Sequence, residues 1–421
     1  MFRFIFVLTL LLLFDWYVFR VFRKQIKINN RWFKIAILII YWLIPLFYLA
    51  SPIYFKYFIK WDSNDFQINK LYFGASFAVL YIPKFIIFIF QVIEDATKFL
   101  AWVTKKLSPT ESKAHKSADG ISRSVFISRM GIFVAAIPFT SLIYSVLIGR
   151  FNFQLNKRTI YFDHLPKAFD GFKIVQFSDL HAGSLIGQQN EFKKAIDIIN
   201  EQNADIVVFT GDMVNSVANE LEDWVELLSS IKAKKGKYSI FGNHDYGSYM
   251  GWDKEGEQEA NIEKLKQYQS QMGFKLLLND TEIFEKNGEK IALLGVENWG
   301  KSRRHRKGRL DIAMEKAKEV PFKVLLSHDP LHWDQQVVEK TDIALTLSGH
   351  THGLQMVASI GGFNWSPISY KYKRWKGLYT EKNQHLYVNN GLGYIYFPGR
   401  IGSDPEITVF ELKTNCGVPN A

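Results

Sequence analysis

Cysteine is almost absent from the sequence, since Cys416 is the only cysteine among 421 residues. An intrachain disulfide is therefore excluded, and cysteine ligation of a metal is not expected. A metal site in this chain would have to use histidine, carboxylate and amide ligands instead.

Internal repeats and low-complexity tracts are also missing, and no motif is typical of nucleic-acid binding. A net charge of +11 nevertheless indicates an anionic partner. We expect a phosphate-containing substrate, which could itself be lipid-linked, and the headgroups of a lipid bilayer. We expect no nucleic acid.

Charged residues are scarce before Arg150, where four apolar stretches lie at about residues 1–19, 33–55, 71–93 and 130–148. Each is close to the roughly 20 residues that a helix needs to cross the hydrocarbon core. We therefore predict a transmembrane region with four helices at residues 1–150 and a separate domain at residues 151–421.

Two ionisable residues interrupt these apolar stretches. We expect Asp15 at the membrane interface. Lys84 follows Pro83, and we expect it either to reach the interface beside a proline kink or to mark a function. A transport role is not favoured, because the stretches lack a ring of polar groups.

Basic residues are distributed unequally among the loops that join these stretches. The first loop carries six Lys and Arg residues and the third carries seven, whereas the second carries three, beside Asp62 and Asp65. The positive-inside rule then predicts a multi-pass protein of the cell membrane with cytoplasmic first and third loops. The C-terminal domain would be extracytoplasmic.

Strand-like and helix-like segments alternate after Arg150, which is typical of a layered α/β domain. Residues 188–200 and 220–231 show the spacing of apolar side chains that helices have. The predicted strands are residues 159–162, 172–177, 205–210, 237–241, 275–278, 291–296, 323–326, 343–347, 385–388 and 407–412.

Polar side chains recur at the carboxyl ends of these predicted strands. The first block, Asp179 and His181, would by itself be a common chance triplet. Four further strands end in similar blocks, which favours one shared site, and such mixed oxygen and nitrogen ligands suit Mn, Fe or Zn. The residues of the five blocks are Asp179, His181, Asp212, Asn243, His244, Asp245, His328, His350 and His352.

These blocks and their surroundings, SDLH, TGD, FGNHD, LLSHDP and SGHTHG, resemble those of the calcineurin-like metallophosphoesterases, in their bacterial membrane-anchored branch. The resemblance implies a four-layer αββα sandwich, here preceded by an N-terminal bundle of four transmembrane helices. It also implies two divalent metal ions with assigned ligands. Asp179, His181 and His352 would hold one ion, Asn243, His328 and His350 the other, and Asp212 would bridge both; the catalytic pair would be His244, beside the substrate phosphate, and Asp245, steadying His244.

Two metal ions about 3.5–4 Å apart can lower the pKa of a shared water and clamp a phosphoryl group. His244 could stabilise the equatorial oxygens or protonate the leaving group. The chain departs mildly from the family pattern at Asn215, where many relatives have an acidic residue, and at Leu354, where a small residue is common. Neither departure removes a ligand.

Substrate-binding candidates lie outside the blocks. The basic run at residues 301–309, with Arg303 and Arg304, is either a solvated loop or a contact for lipid headgroups or a second phosphate. Arg400 is a further candidate phosphate contact. Residues 370–379 interleave cations with aromatic residues, as membrane interfaces do, after an apolar lip predicted at Phe363, Trp365 and Ile368.

The sequence therefore predicts a membrane-anchored dimetal phosphohydrolase that cleaves phosphodiester or pyrophosphate bonds by a metal-activated hydroxide, on a membrane-associated substrate. One alternative is a cytoplasmic-facing pyrophosphatase of a nucleotide-linked lipid intermediate such as UDP-diacylglucosamine, which conflicts with the predicted orientation. The other is an inactive metal-binding membrane scaffold, which the complete set of ligands disfavours.

Overall fold

A computed structural model describes residues 2–25, 30–58, 64–107, 123–300 and 306–415. The chain divides into two compact units, Met1–Tyr144 and Ser145–Ala421. The domain boundary predicted at residue 150 stays a prediction. Cys416 lies outside the described residues.

The N-terminal unit is helical, with α1 Phe2–Gln25, α2 Arg31–Phe58, α3 Asn64–Leu107 and α4, which runs from Arg123 to Leu147. Three segments are long and apolar enough to cross a membrane, namely Arg31–Phe55, Ile68–Leu107 and Arg123–Phe151. Helix α1 is not among them, so the number of passes stays a prediction. Helices α1, α3 and α4 share a buried apolar cluster of Val18, Val21, Ile87 and Ala135.

A buried ion pair joins the two ionisable residues of this unit. Asp15 and Lys84 are both buried, and the Lys84 Nζ atom lies 2.5 Å from the Asp15 Oδ1 atom. The hydroxyl of Tyr81 donates to Asp15 Oδ2 at 2.8 Å, and that of Tyr41 donates to the Asp15 carbonyl at 2.8 Å. Lys84 is therefore paired inside the helical unit instead of reaching outward, and the position of Asp15 at the membrane interface stays a prediction.

The C-terminal unit contains fourteen strands and four α-helices among the described residues. The helices are α5 Gln189–Glu201, α6 Val225–Ser229, α7 Glu257–Gln271 and α8 Leu310–Glu315. The strands are β1 Gln154–Phe162, β2 Phe172–Phe177, β3 Ile206–Phe209, β4 Lys237–Ser239, β5 Phe274–Leu276, β6 Asp280–Lys286, β7 Glu289–Gly295, β8 Lys323–Leu326, β9 Leu345–Ser348, β10 Ala358–Ile360, β11 Phe363–Trp365, β12 Gly377–Glu381, β13 Gln384–Val388 and β14 Glu406–Thr414.

Twelve of the strands form two six-stranded sheets, in the orders β1–β14–β2–β3–β4–β5 and β12–β13–β9–β8–β7–β6. The inner faces of the two sheets share one buried core, to which β2 and β3 contribute Ile174 and Val208 and β8 contributes Val324. The outer face of the second sheet packs on α8 and on the helical turn Trp333–Val337. This is the predicted four-layer αββα sandwich.

Several elements escaped sequence-based prediction. Strand β12 is an edge strand, β6 is an edge strand with three exposed side chains, and α7 buries only two of its side chains. Elements of this kind give weak apolar periodicity. Strands β10 and β11 form a separate hairpin.

The strand directions explain why the polar blocks meet. Strands β2, β3 and β4 are parallel neighbours in one sheet, and β8 and β9 are parallel neighbours in the other. Hydrogen bonds join the carboxyl ends of the two sets, because the Gln176 side chain donates to the Ser348 carbonyl at 2.9 Å. The blocks that follow these strands therefore face one another.

Candidate metal centre

The first ligand group brings together residues from the loops after β2 and β9. Asp179, His181 and His352 offer ligand atoms that all lie within 4.8 Å of one another, and all three are buried. The His352 Nε2 atom lies 3.2 Å from Asp179 Oδ1 and 3.1 Å from His181 Nε2. This spacing fits three ligands that converge on one cation.

The second ligand group comes from the loops after β3, β8 and β9. Asp212, His328 and His350 also offer ligand atoms within 4.8 Å of one another. His328 Nε2 lies 3.0 Å from Asp212 Oδ2 and 3.2 Å from His350 Nδ1. The same Asp212 oxygen lies 3.8 Å from His181 Nε2 in the first group, so this carboxylate stands between both groups.

Asn243, after β4, supplies the strongest sign that a cation fits here. Its Oδ1 atom is buried and has no hydrogen-bond partner among the described residues. Its Nδ2 atom donates to the Tyr249 hydroxyl at 3.0 Å, which fixes the orientation of the amide. A buried amide oxygen without a donor is costly unless another group, such as a cation, satisfies it.

The two imidazoles of the second ligand group are oriented by partners on their far sides. His328 donates from Nδ1 to the Thr210 carbonyl at 2.7 Å, which leaves Nε2 free to bind a metal. His350 is turned the other way, because its Nε2 atom lies 2.7 Å from the Tyr372 hydroxyl and its Nδ1 faces His328. Such partners fix the tautomer of a metal-binding histidine.

Backbone strain is concentrated in these loops. Five residues of the two ligand groups have left-handed backbone conformations, with φ between 51° and 75°, namely Asp179, His181, Asp212, His350 and His352. Non-glycine residues adopt this conformation at a cost of about 1–3 kcal/mol each, and they do so mainly at functional sites. Gly349 is also required here, because a Cβ atom at this position would collide with the Asp179 carboxylate and the Ser178 hydroxyl.

Two buried carboxylates hold the loop after β3 by its backbone. Asp245 accepts hydrogen bonds from the amides of residues 212, 213, 214 and 242, at 2.8 to 3.3 Å. Glu220 accepts from the amides of residues 215, 216 and 217, and also from Gly183 in the loop after β2. Six consecutive amides, 212–217, are thus satisfied by two side chains, which fixes the position of Asp212.

The prediction that Asp245 directly fixes the His244 imidazole needs correction, because Asp245 acts through the loop backbone. His244 Nδ1 lies 2.7 Å from the Asn215 carbonyl oxygen, so its N–H donates to the backbone. The ring of His244 packs edge-on against His181, with 4.9 Å between centroids. His244 is thus held beside the first ligand group by the loop that Asp245 and Glu220 fix.

Electrostatics in the centre favour a positive charge. Burial alone would raise the pKa of Asp179, but the imidazole of His352 outweighs it and holds this pKa below its usual range. Burial opposes a charge on His328, yet Asp212 raises the pKa of His328 to about 10. Burial lowers the pKa of His181 and of His350. The His328 imidazole is thus protonated beside Asp212, and a divalent cation would take the place of this proton, because metals bind the neutral imidazole and the ionised carboxylate.

Asp245 behaves differently from the carboxylates of the ligand groups. Burial and the nearby Asp212 charge raise the pKa of Asp245 to about 7, although its backbone N–H donors oppose this rise. Its oxygens are occupied by amides, so it acts by positioning the loop and not by binding a metal.

The three predicted substrate-binding arginines have different outcomes. Arg303 and Arg304 lie outside the described residues. Arg400 is buried, with 1% of its surface exposed, and it donates to the backbone carbonyls of Gly393, Asn390 and Ser403. The prediction of a phosphate contact at Arg400 is wrong, because its donors are already used inside the domain.

Only part of the segment at residues 370–379 is exposed on the protein surface. Tyr370 is 83% exposed, but Tyr372, Arg374 and Trp375 are buried. Arg374 forms ion pairs with Asp334 and Glu381, and Ile368 packs on the cluster that contains Tyr372 and Trp375. These inward-facing side chains pack inside the domain. Only the exposed residues near them remain candidates for the predicted membrane interface.

Sequence reasoning missed Glu220, Tyr249 and Tyr372, which orient the candidate ligands. Glu220 and Tyr372 act on backbone amides and on the far side of an imidazole, respectively. None of the three lies in a polar block at a strand end. Only Tyr249 could have been suggested by the sequence, because it lies six residues after Asn243.

Comparisons with known proteins agree with this geometry. A family model described as calcineurin-like phosphoesterase matches residues 172–354, and one described as probable calcineurin-like phosphoesterase, transmembrane domain, matches residues 2–150. The uncharacterized metallophosphoesterase YkuE of Bacillus subtilis is 32% identical over 266 residues, which cover 62% of this chain and 86% of the relative.

Two further matches extend the comparison to vertebrate proteins. A transmembrane protein with metallophosphoesterase domain from Danio rerio is 26% identical over 426 residues, which cover 97% of this chain and 88% of the relative. A solved dimetal phosphatase from Danio rerio aligns with a TM-score of 0.28 and 11% identity, over 53% of this chain and 88% of its own, and we base no argument on it. By the family models and the Bacillus relative, the chain belongs to the calcineurin-like metallophosphoesterases, a family of metal-dependent enzymes, and it carries a transmembrane domain as well.

Proposed function

We propose that the protein is a membrane-anchored dimetal phosphohydrolase that cleaves phosphodiester or pyrophosphate bonds of a membrane-associated substrate. The observation that carries this proposal is the position of Asp212 between two complete ligand groups, 3.0 Å from His328 and 3.8 Å from His181. A single carboxylate in that place can serve two cations at once.

The residues present would hold two divalent ions of Mn, Fe or Zn. Asp179, His181 and His352 would hold one, and Asn243, His328 and His350 the other. When bound, two such ions supply Lewis acidity toward phosphoryl oxygens and activate water for attack. The chain's own part is to keep the ligands in place, through the clamp of Asp245 and Glu220 on the Asp212 loop.

His244 is the candidate for proton transfer to the leaving group. Its Nδ1–H donates to the Asn215 carbonyl, so the proton at Nδ1 is fixed and Nε2 is the nitrogen left to exchange a proton with substrate. The tilted ring of Tyr249 lies over it, with 4.6 Å between centroids. A protonated Nε2 could donate to the departing oxygen and so lower the barrier to bond cleavage.

An exposed apolar rim supports a membrane-associated substrate. Tyr370, Tyr396 and Phe363 are 83%, 78% and 70% exposed, and Leu354 directly follows the His352-Gly353 pair. Aromatic side chains of this kind are favourable at a lipid–water interface. We infer that these exposed side chains give a lipid-linked substrate an apolar surface to rest on.

The extracytoplasmic side remains our proposal for the catalytic domain, on the basis of the loop charges. On that side we do not expect a nucleotide-linked lipid that is confined to the cytoplasmic face, such as UDP-diacylglucosamine, to be the substrate. The inactive-scaffold alternative is disfavoured by the presence of every candidate ligand and of His244.

Hydrolysis of bis-p-nitrophenyl phosphate by the purified full-length protein tests this proposal. We expect activity that chelation removes and Mn²⁺ restores, and that Asp212→Ala lowers by at least about 10²-fold, since both cations lose a ligand. His164→Ala, at an exposed position, is the matched control and should retain activity. Equal inertness of the wild type and Asp212→Ala with Mn²⁺, Fe²⁺ and Zn²⁺ would contradict the proposal.

A further inference from the structure

A cavity of about 570 Å³ opens beside the metal centre, on the side of Asn243. Its walls come from the segment between β4 and α7 and from the segment between β7 and α8. This volume lies within the range of about 300–1,000 Å³ that is typical of sites for small molecules. Because Asn243 belongs to both the cavity and the candidate metal ligands, a group bound here would be attached close to the reacting phosphorus.

The cavity has aromatic walls whose polar atoms are already paired inside the protein. Trp252 donates from Nε1 to the Gly247 carbonyl at 2.9 Å, and the Tyr246 hydroxyl donates to Glu297 at 3.0 Å. The Gln258 amide donates to the Tyr246 carbonyl at 2.7 Å and closes one end. Trp252 is only partly buried, so its ring can stack with the flat face of another ring, whereas Tyr246 is 5% exposed and supports the cavity from below.

Besides Asn243 Oδ1, a second polar atom of the cavity wall has no hydrogen-bond partner among the described residues. Asn298 is 2% exposed, and its Oδ1 atom accepts no hydrogen bond from the described residues. Two backbone amides, of Lys307 and Gly308, donate to its main-chain carbonyl instead, and so fix the residue in place. An unsatisfied buried acceptor is unfavourable by about 1–3 kcal/mol, which a donor on a ligand would recover.

The ammonium group of Lys307 lies at the edge of the cavity. The Lys307 Nζ atom lies 4.2 Å from the centroid of the Tyr246 ring, a geometry that holds the ammonium group against the aromatic wall. This charge favours a ligand that carries phosphate next to the ring.

We propose that this cavity is a specificity site for a polar ring, a nucleoside or a sugar, that is esterified to the phosphoryl group under attack. The ring stacks on Trp252, one of its N–H or O–H groups donates to Asn298 Oδ1, and Lys307 contacts the phosphate. This inference rests on the proposed hydrolase function and adds the chemical class of one substrate arm.

The test compares three diesters of p-nitrophenyl phosphate on the full-length protein with Mn²⁺: the thymidine 5′-ester, the glucose 6-ester and the ring-free ethyl ester. We expect kcat/KM for one of the two ring esters to exceed that for the ethyl ester by about tenfold, the value of one good hydrogen bond. A preference for the thymidine ester would indicate a nucleoside, and a preference for the glucose ester would indicate a sugar. Asn298→Ala should bring this ratio close to one, and Asn298→Asp, which keeps an acceptor, should restore part of it.

Asn383→Ala, on the exposed turn between β12 and β13, is the matched control and should leave the ratio at the wild-type value. Trp252→Leu is a second variant that should also lower the ratio, in case Asn298→Ala does not fold. A wild-type enzyme without preference for either ring, or a ratio that both variants leave unchanged, would overturn the inference.

Hydrolysis of none of the three esters would instead count against the proposed function. In that event, calorimetric titration with thymidine 5′-monophosphate and with glucose 6-phosphate still tests the cavity. Binding of one ligand that Asn298→Ala weakens by about tenfold supports the inference, and binding of neither overturns it.

Discussion

Asp212 depends on its neighbours for its place in the metal centre. Its φ of 59° is unfavourable for a residue with a side chain, and it persists because Asp245 holds the amides of residues 212, 213 and 214. The side chain in turn accepts from the His244 amide at 2.8 Å. At the scale of single residues, the centre is therefore a strained loop kept in place by hydrogen bonds to buried carboxylates.

Asp245→Asn should be strongly destabilising, because an asparagine presents one oxygen and one NH₂ group to four backbone donors. At least two buried N–H groups would lose their acceptor, so we expect the free energy of unfolding to fall by about 2 kcal/mol or more. Thermal unfolding of the purified protein measures this. The exposed Asp253→Asn is the control; a similar, small shift for both variants would contradict the positioning role of Asp245.

His244→Ala should lower kcat for phosphodiester hydrolysis by about 10²-fold, the usual contribution of a general acid. Metal content should stay at the wild-type level, because His244 Nδ1 bonds to the Asn215 carbonyl and the residue is outside both ligand groups. Steady-state kinetics and metal analysis on one preparation separate the two effects. Loss of metal together with activity would show that His244 is a ligand and not a proton donor.

The helices of the N-terminal unit are joined by a buried polar cluster. Asp15 of α1 and Lys84 of α3 form an ion pair, and Tyr41 of α2 and Tyr81 of α3 donate to Asp15. The Lys84 ammonium also lies 4.4 Å from the centroid of the Tyr81 ring. These contacts connect three helices, and at the scale of elements they fix which faces of the helices meet.

Replacing one member of the Asp15–Lys84 ion pair should lower the free energy of unfolding far more than replacing both. Asp15→Asn or Lys84→Met alone leaves a buried charge without its partner, which is unfavourable by about 3–5 kcal/mol. In the double variant we expect much of that loss to be recovered. Denaturant unfolding in detergent, followed by helical circular dichroism, gives the coupling energy.

The exposed Lys105→Met is the control for the loss of a lysine from α3 and should have little effect. Strictly additive single and double variants would mean that Asp15 and Lys84 do not interact in the folded protein.

At the scale of the whole molecule, the protein combines a membrane domain with a phosphoesterase domain in one chain. Under the proposed function, we expect such a chain to act on substrates that are held in or near the bilayer. The side of the membrane on which the C-terminal unit lies decides which lipids it can meet.

The loop charges predict an extracytoplasmic C-terminal unit. Asn383→Cys in a Cys416→Ser background places a single thiol on an exposed turn of that unit. We expect a membrane-impermeant maleimide to label this thiol in intact cells as fully as in permeabilised cells. Labelling only after permeabilisation would reverse the proposed orientation and bring cytoplasmic nucleotide-linked lipids back as substrates.

Prediction from the sequence succeeded where neighbouring residues in the chain carry the whole signal, as in short apolar runs that form strands. The bounds of Phe172–Phe177 and Lys323–Leu326 match the structure, because each is a short apolar run between turn residues. The polar blocks are brought together because parallel strands end at one edge, a rule that depends only on topology.

Prediction failed where the partner lies far along the chain or is a backbone atom. Asp15 and Lys84 are 69 residues apart, and no local pattern links them. His244 bonds to a carbonyl that any residue at position 215 would offer, so the sequence pointed to the adjacent Asp245 instead. Arg400 was predicted as a phosphate contact because the sequence does not show that it is buried. Its burial depends on how distant loops pack around it.

The metal content of the purified full-length protein tests the dimetal centre most directly. After saturation with Mn²⁺ and gel filtration, mass spectrometry should find about two ions per chain, and about one in either His181→Ala or His328→Ala, which remove a ligand from different groups. His164→Ala should retain about two. A wild-type protein with one ion or none, or both ligand variants with two, would contradict a centre built from these two groups around Asp212.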